Sequence, residues 1–125
     1  MTEENPTASS NLATLDIEWL DWAAVAAELS VPVSKVRQLI GEHQLAGAVP
    51  EPGAGPKVPA ALLADGMIVK GVPGVLTVLH DGGYDDDEAI TWLFTPDDSL
   101  PGRPIDALRE NRGSEVKRRA QSMAF

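Results

Sequence analysis

Ser34, Lys35, Arg37 and Gln38 place four hydrogen-bonding heads within five consecutive residues. At about 100° per residue of an α-helix, these side chains and Gly41 fall on one side. Val33, Val36, Leu39 and Ile40 fall on the other, the side that should face a core. Guanidinium and amide groups can make paired hydrogen bonds with base edges, whereas an ammonium or hydroxyl binds phosphate oxygens. The pattern suits duplex DNA, with Arg37 and Gln38 as base readers and Ser34 and Lys35 as phosphate ligands. Lys57, beyond a Pro/Gly-rich stretch, is a further candidate for a phosphate contact.

Other residues with chemical potential have plainer explanations. Asp85, Asp86, Asp87 and Glu88 form an acidic run that could ligate a hard cation. It lacks the alternating spacing and terminal glutamate of a calcium loop, and acidic residues suit the positive end of a helix dipole. His43 and His80 lie in different predicted helices without a patterned carboxylate or serine partner, and read as helix-end residues. No metal site or cofactor is expected. Gly53-Ala54-Gly55 is too short for a phosphate-binding loop. With no cysteine and no polar catalytic cluster, enzymatic activity is not expected. Lys117, Arg118 and Arg119 are the densest basic patch. They either solvate the last helix or clamp a DNA backbone or second subunit.

The elements that must position these groups are legible from periodicity and punctuation. Asp21 is placed to cap a helix whose Trp22, Val25, Ala26 and Leu29 form one apolar stripe. Ser30-Val31-Pro32 ends it, and Pro32 opens a second helix over about Val33 to His43. Two short helices joined by a three-residue turn, the second with a polar outer face, follow helix-turn-helix grammar. Ala48 to Pro59 is expected to form a short β-hairpin with a Pro/Gly-stiffened tip, a wing. A plain linker is the alternative there. A short helix is expected over Pro59 to Ala64, and a small strand at Met67-Ile68-Val69. Further helices are expected from Pro73 to Gly82, Asp85 to Thr95, Pro104 to Asn111 and Ser114 to Phe125, with Gly113 as a stop signal.

Charge sets a constraint on partners. The chain has 125 residues and a formal charge of −9, which opposes a polyanion. Cations are uneven: Lys35, Arg37, Lys57 and Lys70 are the only ones before residue 101, and the other six follow it. Between Ser30 and Ala60, Lys35, Arg37 and Lys57 face only Glu42 and Glu51, so the candidate surface is locally positive. High affinity would call for reinforcement, such as a homodimer. The polar, acidic first residues are unlike a secretory signal, and no apolar run is long enough to span a membrane. A cytoplasmic protein is expected.

The string from Val72 to Pro96, VPGVLTVLHDGGYDDDEAITWLFTP, resembles the C-terminal domain of small actinobacterial winged helix-turn-helix DNA-binding proteins. The closing segment Ser114 to Ala124 and the stretch Leu29 to Val36 also resemble that family, so the likeness covers roughly residues 20–125. It implies DNA binding, no catalysis, and control by a Ser/Thr kinase acting on the N-terminal tail. Thr2, Thr7 and Thr14, with Ser9 and Ser10, are the tail's candidate phosphate acceptors; an inert tail is the alternative. A more distant likeness joins Trp92-Leu93-Phe94-Thr95-Pro96 and Leu100 to Leu108 to the toxin-binding domain of ParS-like antitoxins. It implies an antitoxin-like protein-interaction module as the alternative function. For those residues taken individually, packing alone is the plainer account.

The expected architecture is mainly α. A disordered tail (1–15) is expected to precede a winged helix-turn-helix (16–66), the DNA-reading module of a transcriptional regulator, and a helical C-terminal domain (67–125).

Overall fold

A computed structural model describes residues 12–124. Thr2 and Thr7 lie outside the described residues. The packed chain starts earlier than the expected tail boundary at residue 15: Leu12 is fully buried, and Leu15 packs on the same core.

Strand β1 (Trp19–Asp21) leads directly into helix α1 (Trp22–Leu29). Asp21 serves both elements, since its Oδ1 accepts from Ala24 N at 2.8 Å as the helix cap. Ser30 ends α1 in the left-handed region (φ 58°), its amide donating to Ala26 O and Ala27 O. Helix α2 (Val33–Gly41) then starts after Pro32, which has extended backbone and caps without a side-chain hydrogen bond. Its end at Gly41 is two residues earlier than the expected His43.

The hairpin expected from Ala48 to Pro59 forms only in part. Ala48 and Lys57 exchange both backbone hydrogen bonds, at 2.9 and 2.7 Å, and close the loop. Beyond this bridge the ladder stops, because Pro50, Pro52 and Pro56 have no amide to donate. Strand β2 (Lys57–Pro59) pairs instead with β1, antiparallel, with Leu20 opposite Val58 and Asp21 opposite Lys57. The wing is therefore a proline-stiffened loop rooted on a strand that the first helix also holds.

The short helix expected over Pro59 to Ala64 shrinks to one 3₁₀ turn, Ala60–Leu62. The chain then makes a second small hairpin from β3 (Leu63–Ala64) and β4 (Met67–Ile68). Its turn is Asp65-Gly66, both at positive φ (54° and 77°), the dipeptide favoured in two-residue hairpin turns.

The remainder is helical: α3 (Val72–Asp81), α4 (Asp86–Leu93), α5 (Pro104–Arg109) and α6 (Gly113–Ala124). Gly113 opens α6 instead of acting as a stop, and Asn111 at φ 64° makes the break. One continuous apolar cluster runs from Leu12, Val25 and Val36 through Leu62 to Leu76, Ile90, Ile105 and Val116. Arg109 adds a polar tie across the halves, donating from Nη1 to Ala61 O and Leu63 O at 2.8 and 2.9 Å.

The end of α3 abuts the end of α6. A methyl group on Gly82 would lie 2.4 Å from the Ala124 Cβ and 2.9 Å from its Cα. Gly82→Ala should thus push the two ends apart and cost about 1–3 kcal/mol, read as a lower urea midpoint. An unchanged midpoint would show that α6 yields freely there.

Candidate nucleic-acid interface

The outer face of α2 is built by exclusion. Val36 is fully buried, and Leu39 and Ile40 pack partly buried against the core. That anchors one side and leaves Ser34, Arg37, Gln38 and Gly41 exposed on the opposite side. Lys35 is half-buried on the flank of that face. Gln38 Nε2 donates to Glu42 Oε2 at 3.1 Å, an exposed i,i+4 contact that a base edge could replace.

Val33 departs from expectation. The apolar pattern puts it on the core face, yet it is 46 % exposed. It lies at the first helical position, about 65–70° from the centre of the stripe formed by Val36, Leu39 and Ile40, so it sits at the edge of that stripe beside Arg37. An exposed valine at the start of such a helix could contact a thymine methyl. Sequence periodicity missed it by treating every apolar residue as core.

Lys57 is half-buried at the root of the wing loop, opposite Asp21 in the β1–β2 ladder. Among the described residues, Lys35, Arg37 and Lys57 take part in no ion pair, so their charges are not neutralised within the fold. Val49, on the loop, is also exposed.

The C-terminal cations divide differently. Arg103 is bidentate to Asp106 at 2.9 Å, Arg112 pairs with Glu110 and Glu115, and Arg109 holds backbone carbonyls. Arg119 Nε donates to Asp97 Oδ2 at 3.0 Å. The basic run is therefore not one uniform patch: Lys117 and Arg118 are exposed, whereas Arg119 is a structural tie. Hydrogen bonds from the Ser99 side chain and backbone, with help from Arg119, hold the Asp97 carboxyl down at about 2. A depressed folded-state pKa contributes stability present above the ordinary carboxylate value and lost as pH falls through the folded value. The stability deficit of Asp97→Asn should accordingly be full above about pH 4 and shrink towards pH 2. Urea midpoints of both proteins across that range test it, and a pH-independent deficit would contradict it.

The acidic run resolves into separate tasks. Asp85 and Glu88 form a reciprocal capping box at the start of α4, with contacts of 2.8 and 3.0 Å. Burial, then repulsion from Asp85, Asp86 and Glu88, raises the Asp87 carboxyl above its ordinary range. Asp86 corrects the expectation that the histidines lack a carboxylate partner. Its Oδ1 lies 2.6 Å from His80 Nε2, and its Oδ2 accepts from Gly47 N at 3.0 Å. His43 stacks on His80 with ring centroids 3.8 Å apart. Sequence distance hid this cluster, which brings residues just after α2 together with α3 and α4.

The antitoxin-like pattern is used in packing: Leu93, Leu100, Ile105 and Leu108 are buried. No helix among the described residues is long and apolar enough to cross a membrane.

A helix-turn-helix with its second helix turned outward and a loop wing at its side defines a winged helix-turn-helix protein. Residues 6–63 match the family profile described as "DNA-binding protein Rv2175c, wHTH domain", and residues 69–124 match "Rv2175c C-terminal domain of unknown function". DNA-binding protein Rv2175c of Mycobacterium tuberculosis is 46 % identical over 118 residues, covering 84 % of this chain and 80 % of the relative. The NMR structure of Rv2175c superposes with a TM-score of 0.78 at 42 % identity, covering 88 % of this chain and 83 % of that one. The chain belongs to the Rv2175c family.

Proposed function

We propose that this protein binds duplex DNA as a transcriptional regulator, with α2 in the major groove and the 49–56 loop beside it. The observation that carries the proposal is the outer face of α2, where Ser34, Arg37 and Gln38 are exposed and unneeded by the core. The relative's name as a DNA-binding protein supports it. Arg37 and Gln38 read base edges, and Ser34, Lys35 and Lys57 hold phosphates. In the same proposal, residues 16–66 engage DNA and residues 67–125 support them. The protein acts in the cytoplasm without catalysing a reaction, and a homodimer supplies the affinity that few cations cannot. A Ser/Thr kinase modifying Thr2, Thr7 or Thr14 would add negative charge to the N-terminal segment and weaken binding.

Fluorescence anisotropy with a labelled duplex, titrated at several salt concentrations, tests the reading. Two or three phosphate contacts per protomer, doubled in the dimer, give a slope of log affinity against log salt of about −4 to −5. Lys57→Ala should weaken binding similarly on all sequences and make the dimer's slope shallower by about two. Affinity insensitive to salt, or to Lys57→Ala, would count against this placement.

A further inference from the structure

We propose that His43, His80 and Asp86 form a binding site for a divalent transition-metal cation, zinc foremost. One ligand atom from each lies within 4.8 Å of the other two. Two imidazoles and one carboxylate form a donor set suited to zinc, nickel or copper rather than magnesium or calcium. The rings stack with centroids 3.8 Å apart, so an ion held by both would tilt them out of the stack until their lone pairs converge, and all three side chains are half-buried.

Two details favour a site over an accidental cluster. His43 Nδ1 is buried without a hydrogen-bond partner, which is costly unless something fills its lone pair or takes its proton. Asp86 is also oriented from behind, because Gly47 N donates to Oδ2 while Oδ1 faces His80. Such outer hydrogen bonds fix the direction of a metal-ligating carboxylate. Zinc bonds of about 2.0–2.2 Å set neighbouring ligands roughly 3.3–3.5 Å apart. The His80–Asp86 contact would therefore widen by under about 1 Å, and the wider spacings would close by a similar amount. A side-chain rotation supplies that. The bound ion would join the segment that follows α2 to α3 and α4, fixing the recognition helix on the C-terminal half.

The test is thermal unfolding of the chelator-treated full chain with added Zn²⁺, Mg²⁺ or Ca²⁺. At about a hundredfold excess over Kd, zinc should raise the Tm of the native protein by roughly 5–15 °C, reversibly with chelator. His43→Phe, which keeps a stacked ring, and His80→Gln should each lose that shift. As a readout independent of unfolding, Co²⁺ should give the intense visible absorption of a four-coordinate site in the native protein and not in His43→Phe. The absence of a zinc shift, an equal shift in either variant, an equal effect of Ca²⁺ or a six-coordinate cobalt spectrum would each overturn the proposal.

Discussion

Replacing Arg37 with alanine is expected to weaken duplex binding by about 10–100-fold and to relax preference at one base-pair position. The side chain is exposed on the outer face of α2 and takes part in no ion pair among the described residues. Its removal leaves the core untouched, so the loss should appear in affinity and not in Tm. A bidentate arginine–guanine contact contributes about 1–3 kcal/mol of discrimination, which sets the range. Lys35→Ala should differ in kind, giving a smaller loss that is uniform across sequences and disappears at high salt. The contrast matters on a chain of net charge −9, where every local cation counts against a repulsive body. Competition assays on matched duplexes with single base changes separate the two effects.

Leu79→Ala should cost about 2–5 kcal/mol of stability, the usual range for a buried leucine whose cavity cannot collapse. Leu79 is completely buried on α3, and its carbonyl accepts from Gly82 N and Tyr84 N where the helix ends. Because one apolar cluster runs through both halves, the variant should still unfold in a single transition. The tryptophans make this testable: Trp19 and Trp22 report on the first half and Trp92 on the second. Their fluorescence and the far-UV circular dichroism should change at the same urea concentration. Separated transitions would show that the halves are energetically independent despite their shared packing.

The helix-turn-helix was legible because its signals are local. Asp21 caps, Pro32 separates the helices and the stripe at Trp22, Val25, Ala26 and Leu29 repeats at helical spacing. The wing was legible in position but not in form, since the sequence shows the prolines without showing that β2 would find β1 as its partner. The Asp65-Gly66 turn was available as a signal, and the expected helix over Pro59 to Ala64 obscured the first strand of its hairpin. Val33 illustrates a limit of periodicity, which assigns a face but not how deeply the flank of that face is covered. The His43, His80 and Asp86 cluster lay beyond local reading altogether, because tertiary packing brings together residues nearly forty positions apart. The basic run near the C-terminus likewise needed the structure to separate Arg119, tied to Asp97, from Lys117 and Arg118.

The outer face of α2 as the DNA surface is tested most directly by amide chemical-shift mapping of the labelled protein titrated with duplex DNA. The account predicts the largest changes at Ser34, Arg37, Gln38 and Gly41, followed by the loop from Val49 to Lys57. Changes concentrated on Lys117 and Arg118, with α2 unaffected, would contradict it.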